Sequence, residues 1–152
     1  MYINILKKIF FSILVLLFVY SANTNDILDI NSYIEKNGFE DPYHVAYVMQ
    51  RCAGLNMAYA KYLPSSMPKE KKIIGNLASE FFVVAGTMMR SKGMTSDQDN
   101  IKQNKKALLF FTNYYYKKIE KNQLEIGSIF EGDMMGDFKI CQSFAKELMK
   151  KN

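Results

Sequence analysis

The sequence predicts an all-α protein in which four helices with short connections form an up-down-up-down bundle. Apolar residues recur at spacings of three and four through most of the chain, which is the period of an amphipathic helix. No stretch alternates apolar and polar residues for more than a few positions, so strands are not expected. A signal peptide (1–22) and a short helical lead-in (23–40) are predicted to precede the helical bundle domain (41–152).

The first 22 residues have the order of a secretory signal peptide. Lys7 and Lys8 come first without any acid, an apolar run of 12 residues follows over 9–20, and small polar residues come next. A helix that spans a membrane needs about 20 apolar residues, so this shorter run favours export and cleavage. We therefore expect a periplasmic or secreted protein. The alternative is an uncleaved N-terminal membrane anchor.

The lead-in and the first bundle helix are separated by a turn. Apolar residues from Ile27 to Ile34 predict a short helix, α1, which ends at Asn37 and Gly38. The next helix, α2, is predicted over Pro42–Leu63, because Asp41 suits an N-cap and proline suits the first helical position. The apolar stripe of α2 comprises Val45, Val48, Cys52, Leu55, Tyr59 and Tyr62.

Three further helices complete the predicted bundle. We expect α3 over Pro68–Ser91, stopped by Gly93, and α4 from the residue after Ser96 to about Ile126. The last helix, α5, is expected over Asp133–Lys150, with its acids early and its lysines late, as the helix dipole prefers.

Cys52 and Cys141 are the two cysteines of the chain. An even number of cysteines in an exported protein predicts a disulfide. Both lie on predicted inward stripes near the middle of α2 and α5, which are antiparallel neighbours in the predicted topology. The alternative is a pair of separate buried thiols.

Composition and motifs exclude several classes of function. Without Lys7 and Lys8, 18 basic residues stand against 15 acidic ones, and only two of the 20 basic residues in the chain are arginines, so a nucleic-acid partner is not expected. The Cys-x-x-Cys-His motif of covalent haem attachment is absent, and the single histidine, His44, offers at most one axial ligand. Zinc, calcium and hydrolase motifs are also missing.

These absences predict neither catalytic residues nor a cofactor or metal, and favour a binding or accessory role over an enzyme. A haem- or metal-carrying bundle and a small periplasmic enzyme are the alternatives. A purely structural or stress-protective envelope protein is a further class.

The remaining signal is surplus apolar surface. Between Tyr43 and Ala60, Arg51 is the single charged residue of α2 apart from His44, and a helix that is apolar all round is expected to be buried all round. We expect this face and the outward aromatic residues of α4 to bind an envelope protein or a second copy of the chain. The membrane is expected to be met only through the signal peptide before cleavage. Alternatively, the lead-in covers one of these faces. The candidate partner-binding residues are Tyr43, Tyr47, Arg51, Gly54 and Ala58 on α2, and Phe110 and Tyr114 on α4.

Overall fold

The computed structural model describes residues 27–91, 93 and 97–150, and within these ranges every regular element is a helix. The helices are α1 (Ile30–Asn37), α2 (Pro42–Tyr62), α3 (Pro68–Ser91), α4 (Asp97–Ile126) and α5 (Asp133–Met149). The all-α prediction is confirmed, and the predicted ends of the four long helices agree to within one residue. The predicted signal peptide lies outside the described residues. None of the described helices combines the length and apolar character needed to cross a membrane.

Local signals explain where the first two helices begin and end. The Asp29 carboxylate accepts hydrogen bonds from the Ser32 amide and hydroxyl, at 3.0 and 2.6 Å, and caps α1. Gly38 ends α1 with a φ of 76°, and its N–H donates to the Ile34 carbonyl. Asp41 then caps α2 by accepting from the Tyr43 amide at 2.8 Å. Gly38 and Asp41 therefore have the stop and cap roles that the sequence predicts, and the Asp29 cap is an addition from the structure.

Helix α2 lies at the centre of the molecule. It makes its most extensive contacts with α3 and α4, and smaller ones with α5 and α1. Helices on several sides explain why α2 carries so few charges, because each of its faces meets another part of the chain. The α2 residues buried in this way are Ala46, Val48, Met49, Arg51, Cys52, Ala53, Gly54, Leu55, Asn56, Ala58 and Ala60.

A glycine lets α2 and α4 approach closely. A Cβ atom at Gly54 would lie closer than 3.0 Å to Phe111 and Thr112, including 2.8 Å to the Phe111 carbonyl carbon. Only a residue without a side chain fits such a contact between two backbones. Phe111 consequently sits against the middle of α2, where it is 4% exposed.

Two asparagines join α4 to α3. Asn100 Nδ2 donates to the Gly86 carbonyl at 3.0 Å, and Asn104 Nδ2 donates to the Phe82 carbonyl at 2.8 Å. Residues four apart on one helix thus meet carbonyls four apart on the other, in reversed order. This arrangement holds the polar first half of α4 against α3 without a large apolar contact.

The disulfide prediction is confirmed. Cys52 and Cys141 are bonded, with their Cα atoms 5.4 Å apart and a sequence separation of 89. Both are almost completely buried. The bond connects the central helix α2 to α5 and so closes most of the described chain into one covalent loop.

Candidate functional site

A buried polar cluster lies beside the disulfide, and its Arg51 guanidinium carbon is 5.9 Å from the centroid of the Tyr47 ring. Arg51 Nη2 is 2.6 Å from Asp137 Oδ2, and the Tyr115 hydroxyl donates to the same oxygen at 2.5 Å. Arg51 Nε donates to the Tyr115 hydroxyl at 3.0 Å. These groups come from α2, α4 and α5, and all three residues are at most 2% exposed.

The same cluster holds the lead-in. Arg51 Nη1 donates to the Leu28 carbonyl, and the Ile30 amide donates to Asp137 Oδ1 at 2.6 Å. Ile30 itself is fully buried. Both carboxylate oxygens of Asp137 therefore have partners, and the guanidinium uses all three nitrogens. A buried ion pair that is hydrogen-bonded in this way stabilises one arrangement of the elements around it.

Burial sets the protonation of the tyrosine in this cluster. Removal from water raises the pKa of Tyr115 well above its ordinary value of 10.0, and Asp137 raises it further, against the opposing effect of Arg51. Burial would lower the pKa of Arg51, but Tyr115 and Asp137 reverse this and raise it. At neutral pH the phenol is therefore a hydrogen-bond donor and the guanidinium stays charged. Because the polar groups of the cluster are hydrogen-bonded to one another, the role of the cluster is structural.

The structure divides the face predicted to bind a partner. Arg51, Gly54 and Ala58 are buried between helices of this chain, and the acid that pairs with Arg51 is Asp137 of the same molecule. The prediction that these three residues bind a partner is therefore wrong, and their role is in the core. Tyr43 is 61% exposed, and Tyr47 is half-buried.

The lead-in covers part of that face, as the alternative interpretation expected. The Tyr33 ring stacks on the Tyr47 ring, with 4.2 Å between centroids. The Tyr33 hydroxyl also lies 2.8 Å from His44 Nδ1. The single histidine is thus engaged by α1 on the side of its Nδ1 nitrogen. Tyr47 keeps one edge toward Phe111, at a centroid distance of 5.4 Å.

Beside the covered part, a small cavity opens between the first half of α2 and the first half of α4, with the end of α3 as its third wall. Its volume is about 170 Å³, and it is lined by Tyr43, Ala46, Tyr47, Gln50, Met89, Gln103 and Ala107. The walls are therefore aromatic, methyl and thioether groups with two side-chain amides. Sequence reasoning identified the two tyrosines of this cavity and none of its other residues.

Hydrogen bonds fix one polar wall of the cavity. Gln50 Nε2 donates to Asn104 Oδ1 at 3.1 Å and approaches Met89 Sδ at 3.2 Å. Gln50 is thereby held by α4 and by α3 at once. Such a pre-arranged, mainly apolar hollow with a few oriented polar groups is typical of a binding site.

Phe110 and Tyr114, the predicted residues of α4, lie on the surface. Phe110 is 58% exposed, and its ring contacts Phe111 at a centroid distance of 5.1 Å. Tyr114 is half-buried, with the Lys118 ammonium 5.1 Å from its ring centroid. Phe110 follows the cavity residue Ala107 by three positions, and is therefore close to it on the helix surface. Tyr43 and Tyr47 thus line the cavity, and Phe110 is a helix neighbour of its residue Ala107.

In the described part of the chain, no group of three or more His, Cys, Asp and Glu side chains is placed to hold a metal ion. In comparisons with known protein families, with curated proteins and with solved structures, the chain gives no significant match.

The sequence reasoning missed the partnership of Arg51 with Asp137. A signal was present, because a lone arginine in an otherwise apolar helix requires a buried acid somewhere in the chain. Asp137 is one of the early acids of α5, whose position in the helix the dipole alone already explains.

Proposed function

We propose that this chain is a small exported helical protein that works as a binding or accessory module and not as an enzyme. The observation that carries the proposal is the cavity between Tyr43, Tyr47 and Met89, whose rim carries the exposed ring of Tyr43. We take its occupant to be an apolar side chain of an envelope protein.

The size and chemistry of the cavity favour a protein partner. Pockets that hold small organic ligands usually measure about 300–1,000 Å³, and this one has a volume of about 170 Å³. A single apolar anchor side chain in a hollow of this size is typical of protein interfaces. Tyr43 supplies a large contact area with a polar tip at the rim.

Export to the periplasm is part of the same proposal. It is supported by the basic, apolar and small-polar order of residues 1–24 and by the Cys52–Cys141 disulfide, because disulfides persist in oxidising compartments. N-terminal sequencing of protein from the native envelope should find a start between residues 22 and 25. A start at Met1 would contradict cleavage.

We also propose that the four long helices alternate in direction. The reversed order of the contacts between Asn100, Asn104 and their carbonyl partners on α3 supports this arrangement. Spin labels at the exposed residues Ile73 and Leu124 should then be close together, and labels at Ile73 and Met149 far apart. The opposite ranking of the two distances would contradict the topology.

Photo-crosslinking tests the proposed binding role. A photoreactive residue at Tyr43 should give one crosslinked species of defined mass in the native envelope. The matched control is Ile73, which is equally exposed at 67% but lies on α3 near its beginning, and it should give none. A crosslinked product of twice the chain mass would identify the partner as a second copy of this chain and not as an envelope protein. No product at Tyr43, or equal products at both positions, would contradict the proposal.

A further inference from the structure

The middle of helix α4 is a strongly basic stretch. From Asn100 to Ile119 it contains five lysines and no acidic residue. Because the whole chain has 20 basic and 15 acidic residues, the rest of the molecule carries equal numbers of both. The positive charge is therefore concentrated in the middle of α4, while acids lie at both of its ends, so that the whole helix has six lysines against four acids.

Four of these lysines share the outward side of α4. At 3.6 residues per turn, Lys102, Lys106 and Lys117 project to the side opposite the buried residue Tyr115, and Lys105 projects to the flank of that side; all four are exposed. We call these lysines, together with Leu109, the basic face. It extends for about 22 Å along the helix. The fifth lysine, Lys118, instead lies over the Tyr114 ring.

Leu109 gives the basic face an apolar centre. Its side chain is 64% exposed, and it follows Lys105 and Lys106 by four and three residues and precedes Lys117 by eight. A large apolar side chain that projects into water among lysines can enter the interface of a membrane while the lysines meet its surface. There the lysine stems extend along the apolar layer and their ammonium groups reach the headgroups.

We propose that the basic face binds a membrane surface rich in anionic phospholipid headgroups. The charge of the face complements such a surface, and Leu109 enters the boundary between headgroups and acyl chains. This contact goes beyond the sequence-based expectation that the membrane is met only through the signal peptide. It leaves the cavity beside Tyr43 to the protein partner, so the two proposals are independent.

The composition of the face favours lipid over an acidic protein. A fixed carboxylate partner is best matched by arginine, whose planar guanidinium makes paired hydrogen bonds. The basic face has no arginine. Lysine attracts anions as a mobile point charge, which suits a fluid layer of headgroups. The exposed Leu109 also projects outward, as insertion into a lipid layer requires.

Vesicle co-sedimentation tests this proposal with the protein purified from the exporting cell, so that all variants share one N terminus. The probes are vesicles of phosphatidylglycerol mixed with phosphatidylcholine, and vesicles of phosphatidylcholine alone. The wild type should bind the anionic vesicles, and added salt should weaken the binding. The affinity of the double variant Lys105→Glu/Lys106→Glu for the anionic vesicles should be lower by a factor of about ten or more. Its matched control is Lys69→Glu/Lys72→Glu, which makes the same charge change on exposed residues of α3 and should bind as the wild type does.

A second pair of variants tests the apolar centre. Leu109→Ser should reduce binding to anionic vesicles, whereas Ile73→Ser, at a residue of similar exposure on α3, should not. Equal binding to both kinds of vesicle, or an equal loss in the charge-matched control, would overturn the proposal. The proposal would also be overturned if the folded wild type did not bind vesicles and instead bound an acidic protein through the basic face.

Discussion

Arg51 on α2 and Asp137 on α5 form an ion pair at 2.6 Å that is buried from water, and Cys52, the residue after Arg51, is bonded to Cys141, four residues after Asp137. The two helices are therefore joined twice within about one helical turn. The same pair also binds the backbone of the lead-in at Leu28 and Ile30. Three separate parts of the chain consequently depend on one cluster.

Removal of one member of the ion pair should destabilise the fold strongly. Arg51→Met leaves the Asp137 carboxylate buried without its counter-charge, which typically costs about 3–5 kcal/mol. Urea unfolding should show this loss in the free energy of unfolding. In the double variant Arg51→Met/Asp137→Asn the loss should be smaller than in Arg51→Met, because no charge remains buried. A loss below about 1 kcal/mol in Arg51→Met would contradict the burial of the pair.

Substitutions at two glycines should change the free energy of unfolding in opposite directions. Alanine in place of glycine inside a helix normally stabilises by about 1 kcal/mol, and a Cβ at Gly75 on α3 meets nothing within 4 Å. Gly75→Ala should therefore raise the free energy of unfolding.

In Gly54→Ala the new Cβ would overlap the Phe111 backbone. We expect a net loss of about 1–3 kcal/mol from overpacking. The larger change Gly54→Leu should unfold the protein, whereas a partner-binding role would have left it folded. Denaturant midpoints of the three variants measure this difference, and an unchanged midpoint for Gly54→Ala would show that α2 and α4 are not in contact.

Loss of the disulfide should weaken the protein without changing its helix content. A loop of 89 residues corresponds to about 4 kcal/mol in the chain-entropy description. The double variant Cys52→Ala/Cys141→Ala should therefore unfold at lower urea concentration. Mass spectrometry of the native protein should find it two hydrogens lighter than the reduced form. Two thiols that alkylate freely in folded, exported protein would refute the pairing.

Alkaline pH should destabilise the fold through Tyr115. Its pKa in the folded state is raised above the ordinary value of 10.0, so above that pH the unfolded state loses a proton that the folded state keeps. Stability is then complete below pH 10 and declines as the pH rises toward the folded-state pKa. Tyr115→Phe should show a shallower decline of unfolding free energy with pH. Parallel slopes for the two proteins would contradict a buried phenol.

Helix positions were predictable because their signals are local. Asp41 and Pro42 start α2, and Gly93 follows the end of α3, whatever else surrounds them. The central position of α2 was only half predictable. Its lack of charge indicated burial, but a square bundle of four helices leaves one side of each helix wet. Gly54 removes that wet side, because it lets α4 contact α2 directly.

The cavity could not be predicted for a different reason. Gln50 is on α2, Met89 on α3 and Gln103 on α4, and no sequence spacing relates them. Only the exposed tyrosines gave a signal, since large aromatic residues on an otherwise apolar helix indicated surplus surface. Arg51 was wrongly predicted to bind a partner because the acid that pairs with it, Asp137, lies 86 residues away in the sequence.

The most direct test of the proposed binding role is crosslinking from position 43 when the cavity is filled. Ala107 lines the cavity and is half-buried, so Ala107→Trp should occupy it with little effect on the core. We expect the species crosslinked from position 43 to disappear in this variant. The free energy of unfolding of the variant should stay near that of the wild type. The same crosslinked species, at undiminished yield in the folded variant, would contradict the account.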